Sequence, residues 1–276
     1  MAIRAATLLA IAALSTASAA QGPAVDVKMV LYRAANAHGM LRGVQEVDAI
    51  TSNQFEATGR MTVPAQGNGP AQEFKLTRFK AWMNYSYPGM RVDLERVGGT
   101  SAPERLIGVV SGGHAWNEAD MPGGQATAVP ALLNQRLLGV WMLPHSVIKA
   151  ARRAADKVTV SEQGGATVLT IPLPAPLAGT MVATLSDDSL VEKVVARLPA
   201  APPARGETVV EATYTDYRDP DMSDVPFPHR IVQKMGTVTT LDLTVSAARM
   251  YNPYVIMPVP ENVEKAPRPT AATVAR

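Results

Sequence analysis

The chain has 276 residues, with 26 lysines and arginines against 24 acidic residues and a net charge of +2 at pH 7. Both signs are mixed along its length and no basic stripe alternates with aromatic residues, which argues against nucleic acid as a partner. There is no cysteine, which excludes disulfides, a thiol nucleophile, thiolate metal ligands and a lipid-modified cysteine.

The first twenty residues, MAIRAATLLAIAALSTASAA, run from Arg4 through an apolar stretch to the small residues Ala17, Ser18 and Ala19. That order is expected of a secretory signal peptide, and the apolar part is too short to span a bilayer. The expected product is periplasmic or secreted, with no transmembrane segment after cleavage. Without cysteines, an exported chain relies on its hydrophobic core for stability.

Val30–Leu41 is expected to form a short helix that stops near Gly43. Period-two patterning follows. One long strand or two should cover 44–63, with an interruption at Ser52-Asn53. In EFKLTRFKAWMNYS, strict alternation puts Phe74, Leu76 and Trp82 on one face and Phe79, Met83 and Tyr85 on the other. Tyr87-Pro88-Gly89 turns the chain into MRVDLERV, where Val92 and Leu94 oppose Arg91, Asp93 and Glu95. RLIGVVSGGHAWNEA reads as a strand kinked at Gly112-Gly113.

Residues 130–156 lack alternation and are rich in leucine and alanine, which predicts helix. Pro144 should divide it in two, because proline has no N–H to give and clashes with the preceding turn. Leu132, Leu133, Leu137, Val140 and Trp141 form an apolar face wide enough to cover a sheet. Lys149, Arg152, Arg153 and Lys157 read as cations at the negative end of a helix.

Strands resume in ATVLTIPL, GTMVATL, LVEKVVARL and TVVEATYTDY, separated by turns and proline-rich loops. In LDLTVSAARMY, Leu241, Leu243 and Val245 should point inward. The segment from Val259 to Arg276 reads as a linker-like tail, which bounds the expected curved-sheet domain at 21–258. The predicted fold is mainly β with a central helical block (α+β): a curved antiparallel sheet or open half-barrel packed on helices.

Candidate chemistry is sparse. None of His38, His114, His145 and His229 has a second histidine within four residues, so no metal site is expected. No Gly-x-Ser-x-Gly elbow and no glycine-rich phosphate loop is present, so neither a catalytic residue nor a cofactor is assigned. In TYTDYRDPDMSDVPFPHRIVQKM, the aspartates and prolines between Tyr217 and Ile231 suit a strand connection, where carboxylates bond backbone and proline sets φ. His229 is placed at the entrance of the next strand, partly solvated.

That stretch carries a resemblance. Y-x-D-Y-R-D, a loop and V-P-F-P-H-R-I are similar to a hairpin of the periplasmic lipoprotein-carrier type, the LolA/LolB-like fold. GGHAWNEA, LLGVWMLPHSVIKAA and LDLTV also resemble the exported β-rich region that precedes a metallo-β-lactamase-like domain in some bacterial proteins. The chain has no His-x-His-x-Asp-His, so hydrolase activity is not carried over. The resemblance implies a sheet wrapped round helices and an apolar cavity for a lipid or acyl chain. A non-catalytic accessory module partnering another envelope protein (a hydrolase), and an unrecognised hydrolase in its own right, stay open beside it. The apolar lining is expected from Leu133, Leu137, Val140, Trp141 and Met142, with Trp82 and Trp116.

Overall fold

The computed structural model describes residues 26–64, 70–98, 102–200 and 206–267. The expected signal peptide and the end of the tail lie outside them. Helix α1 (Val27–Ala37) leads to a small hairpin, β1 (Leu41–Arg42) and β2 (Val47–Asp48). A meander follows: β3 (Ser52–Val63), β4 (Gln72–Asn84), β5 (Gly89–Val97), β6 (Glu104–Ser111), β7 (His114–Glu118) and β8 (Ala126–Ala128). After helices α2 (Leu133–Met142) and α3 (Pro144–Arg153) comes a second meander: β9 (Thr159–Gln163), β10 (Ala166–Pro172), β11 (Thr180–Leu185) and β12 (Val191–Pro199). It continues through β13 (Glu207–Arg218), β14 (Phe227–Met235) and β15 (Val238–Met250), and a short α4 (Glu261–Glu264) comes last.

The meanders join where β3 pairs with β15, giving one thirteen-stranded antiparallel sheet with β8 at one edge and β9 at the other. The sheet is therefore open and not a closed barrel. Its topology also places the helices. The chain leaves β8 at one edge and must reach β9 at the other, so α2 and α3 cross the sheet and bury its inner face.

Local chemistry sets the element ends. The Asp26 carboxylate caps α1 by accepting from the Lys28 amide at 2.9 Å. The helix stops at Ala37, earlier than expected, because Gly39 takes φ +63° and its Cα lies against the Asp224 carbonyl, where a Cβ would clash. Pro144 divides the helical block as predicted, standing at the first position of α3 where its missing N–H costs nothing. Gly112 and Gly113, at φ +55° and +76°, form a two-residue turn between β6 and β7, so the expected kink is a hairpin.

Bulges bend the middle of the sheet. Thr77 in β4 and Ser246 in β15 are extra residues opposite their partner strands. The Thr77 bulge shifts the alternation, so Leu76 joins Phe79, Ala81 and Met83 in the core while Trp82 faces the other way. The expected grouping of Leu76 with Trp82 is thereby corrected. In β15, Leu243 and Val245 are buried inward as predicted, and after Ser246 the inward positions become Ala248 and Met250.

Two cores result. The large one fills the space between the inner face and helices α1 to α3. A smaller one, on the outer face, gathers Ile107, Val109, Trp116, Val255, Met257 and Val263, with Trp82 and Val259 packed against it. The segment after β15 folds back to make it. The Asn84 amide donates to the Val255 carbonyl at 2.7 Å, and the Asn262 amide to the Ala126 carbonyl at 2.8 Å. Val259 and Val263, after residue 258, thus pack in this cluster.

Candidate functional site

Between α2 and the inner face of the sheet lies a cavity of about 540 Å³. The sheet contributes Phe55, Phe79, Val92, Leu94, Tyr214, Ile231 and Leu243. Short residues line it too: Ala81, Gly108 and Ala212 on strands and Gly139 on α2. A Cβ on Gly139 would sit 3.0 Å from the Met90 Cε, and one on Gly108 would sit 3.0 Å from the Arg136 Cζ. A volume of this size and apolar character is typical of small-molecule sites.

The α2 side of the cavity is Leu132, Gln135, Arg136, Leu138, Gly139, Met142 and Leu143. Of the residues expected to line a ligand site, Met142 alone is among them. Leu137, Val140 and Trp141 are buried in the main core, and Leu133 packs against it half-buried, without lining the cavity. Trp82 and Trp116 belong to the outer cluster, across the sheet from α2. The apolar residues of the block continue round the helix, so periodicity alone cannot say which side faces the sheet.

Polar groups at the cavity are few. The Tyr214 hydroxyl donates to the Met142 carbonyl at 2.6 Å, tying β13 to the end of α2. Burial raises the Tyr214 phenol, so it stays a neutral donor. Arg136 is half-buried at the rim. Its Nη1 donates to the carbonyls of Val109, at 3.0 Å, and Trp116, and its Nη2 donates to the Asn117 side chain. Burial lowers the Arg136 guanidinium to about 10.

The histidines do not converge on one centre. His38 and His145 are both fully buried, with ring centroids 5.6 Å apart and edge-on. His38 Nδ1 lies 2.7 Å from the Ala34 carbonyl, so it carries the proton, and Nε2 accepts from the Val191 amide at 3.3 Å. His145 Nε2 lies 3.1 Å from the His38 carbonyl. Burial lowers His38 to about 4 and His145 to about 3, so both are neutral at pH 7. His114 Nδ1 lies 2.9 Å from the Gly112 carbonyl, within the hairpin turn. Among the described residues no group of three or more His, Asp and Glu is placed to hold a metal ion.

His229 pairs with Asp216 at 3.1 Å, and Arg218 shares that carboxylate. The acidic residues that follow serve the connection: Asp219 accepts from the amides of Ser223 and Asp224 at 3.0 and 2.9 Å, and Asp221 from the Met250 amide at 2.9 Å. Tyr217 turns inward and donates to the Val191 carbonyl at 2.6 Å. The stretch is a braced strand connection.

One spacing was not read from the sequence. Ser146 and Lys149 stand three apart on α3, as Ser-x-x-Lys, a spacing used by acylating serine enzymes. Here Ser146 is fully buried and both Asp48 carboxylate oxygens hold Lys149 Nζ, at 2.7 and 2.6 Å. A serine closed off from solvent, beside a lysine neutralised by an aspartate, offers no nucleophile to a substrate. Arg152 and Arg153 stand in the last turn of α3, where Arg153 also donates to the Tyr85 carbonyl, while Lys149 lies earlier in the helix and pairs with Asp48.

No family model matches this chain, and no curated protein matches it. Solved structures do. A provisionally assigned outer membrane lipoprotein-sorting protein domain from Vibrio parahaemolyticus is 11% identical with a TM-score of 0.48, covering 86% of this chain and 96% of that one. A DUF1329 family protein from Desulfovibrio piger ATCC 29098 is 9% identical with a TM-score of 0.36, covering 82% and 94%. Both likenesses are distant. No helix among the described residues is long and apolar enough to cross a membrane.

Proposed function

We propose that this protein is an exported, carrier-like binder of an apolar ligand, a lipid or acyl chain, working in the periplasm or outside the cell without a cofactor. The observation that carries the reading is the cavity of about 540 Å³ between α2 and the sheet, apolar but for a few rim groups. An occupant would bury apolar surface at about 25 cal/mol per Å² removed from water. A non-catalytic role fits the closed Ser146 and the neutralised Lys149.

The test is an organic extract of protein purified from the envelope fraction, analysed by mass spectrometry, beside binding of a fluorescent fatty-acid probe. Ala212→Phe should fill the cavity, with loss of the extracted molecule and at least about a tenfold fall in probe affinity. An empty extract together with no probe binding by the parent protein would refute the reading.

A second reading, a module that docks on an envelope partner, has its own support. Tyr87, Tyr254 and Ile256 are 79%, 84% and 70% exposed, on segments joined through Asn84. Exposed aromatic and aliphatic side chains of this kind suit a protein interface. Tyr87→Ser with Tyr254→Ser should abolish capture of a partner by crosslinking in envelopes and leave probe binding unchanged.

A further inference from the structure

We propose that Arg136 is the headgroup site of this cavity, binding the carboxylate of a single-chain amphiphile whose alkyl chain occupies the apolar interior. The inference rests on the carrier reading and names the ligand class within it.

Arg136 spends its hydrogen bonds unevenly. Nη1 is committed to the carbonyls of Val109 and Trp116, and Nη2 gives one bond to the Asn117 side chain. The Nε–H and the second Nη2–H have no acceptor among the described residues. The Nε and Nη2 side of a guanidinium is the fork that receives both oxygens of a carboxylate, and at Arg136 the Asn117 side chain is its one partner among the described residues. This chain uses that edge elsewhere. Arg91 gives Nε and Nη2 to Glu118, each at 2.9 Å, and Arg105 gives Nε and Nη2 to Asp93 at 2.9 and 2.8 Å.

Arg136 differs from those two in having no acidic side chain within ion-pair distance among the described residues. All its partners are neutral. A half-buried cation without a counter-ion costs desolvation free energy that an arriving carboxylate would offset. The lowered Arg136 value of about 10 has burial as its cause and still leaves the group charged at neutral pH. The site is also shaped for the guanidinium. Gly108 lies beneath it, where even a methyl group would come within 3.0 Å of Cζ. Gln135 and Asn117 add polar groups to the same lining, while Val92, Leu94 and Leu106 line it with hydrocarbon. A charged head at the rim and a chain inside is the arrangement an amphiphile needs. One fork with one positive charge fits a two-oxygen monoanion better than a dianionic phosphate.

The test is equilibrium binding of hexadecanoate, hexadecanol and hexadecyl phosphate to the whole protein and to Arg136→Gln, Arg136→Lys and Gly108→Ala. The parent should bind the acid at least about tenfold tighter than the alcohol. Arg136→Gln should bring the acid down to the alcohol and leave the alcohol unchanged. Arg136→Lys should recover only part of the preference, and Gly108→Ala, which displaces the guanidinium without removing it, should reduce it. If Arg136→Gln does not fold, as judged by circular dichroism, the Gly108→Ala result decides. Equal binding of acid and alcohol by the parent, or a preference unchanged in the folded variants, overturns the headgroup assignment while alcohol binding keeps the carrier reading. A phosphate favoured over the acid overturns the carboxylate. If none of the three binds, both readings fall.

Discussion

Trp141 and Met142 are neighbours at the end of α2, yet they belong to different environments. Met142 lines the cavity, while the Trp141 ring is buried in the core with the Arg153 guanidinium 5.7 Å from its centroid. Cavity lining and core packing are thus separable on adjacent residues. Trp141→Ala should cost about 3–5 kcal/mol and leave acyl-chain affinity within about twofold in protein that remains folded. Trp141→Phe should cost much less, because the buried indole N–H has no acceptor among the described residues. Urea denaturation followed by circular dichroism measures both. A tryptophan-to-alanine cost below about 1 kcal/mol would contradict close packing here.

The buried histidine pair predicts an acid limb of stability. His38 and His145 are held neutral in the fold, at about 4 and about 3, by burial first of all. The unfolded chain takes up protons at its ordinary value near 6.5 while the folded chain does not, so stability is full above about pH 6.5 and declines as pH falls toward 4 and 3. Between pH 6 and 5 the slope should approach about 2.5 kcal/mol per pH unit for the two groups. His145→Phe, placed where the ring already stacks near Phe227 at 6.3 Å, should roughly halve that slope. Urea midpoints across the range give the answer, and a flat profile would show that neither group stays neutral.

On the outer face, Glu118 is buried and accepts from Arg91, from the Trp116 indole at 3.1 Å and from the Gly123 amide at 2.8 Å. Burial alone would raise this carboxyl, but Arg91 and the Gly123 amide together hold it below its ordinary value. Arg91→Ala strands a buried charge and should cost about 3–5 kcal/mol. Adding Glu118→Gln should return part of the loss, since the stranded charge is then gone. A double-mutant cycle with additive costs would show that the pair does not act as a unit.

The outer cluster can be tested by shortening the chain. Ending it after Pro267 keeps Val259 and Val263 and should leave the urea midpoint unchanged. Ending it after Pro258 removes both and uncovers Trp116, which is fully buried. That loss should cost at least about 2 kcal/mol, the order of burying one aliphatic side chain. Equal midpoints for the two chains would make the segment a linker after all.

Much of the fold was legible because it rests on local chemistry. Alternation in MRVDLERV put Val92 and Leu94 on one face, where they line the cavity, and Arg91 and Asp93 on the other, where they meet Glu118 and Arg105. Pro144 broke the helical block because a missing N–H and a ring clash act within one turn. The Asp219 carboxylate bonds the backbone of its own turn. Each of these depends on residues close in sequence.

Tertiary structure alone decided the rest. The bulge at Thr77 reversed the side assigned to Leu76, and a bulge depends on the register of partner strands. Apolar side chains surround much of α2, so only its path from the β8 edge to the β9 edge determined that Leu138, Gly139 and Met142 face the cavity while Trp141 does not. Trp82 and Trp116 stand on the outer face, away from that cavity, and the chain after β15 returns to cover them with Val255 and Val263. Arg136 is one cation among many in the sequence. It became a candidate site once β6 and β7 supplied neutral carbonyls to its Nη1 and the fold placed the residue in the lining of an apolar space.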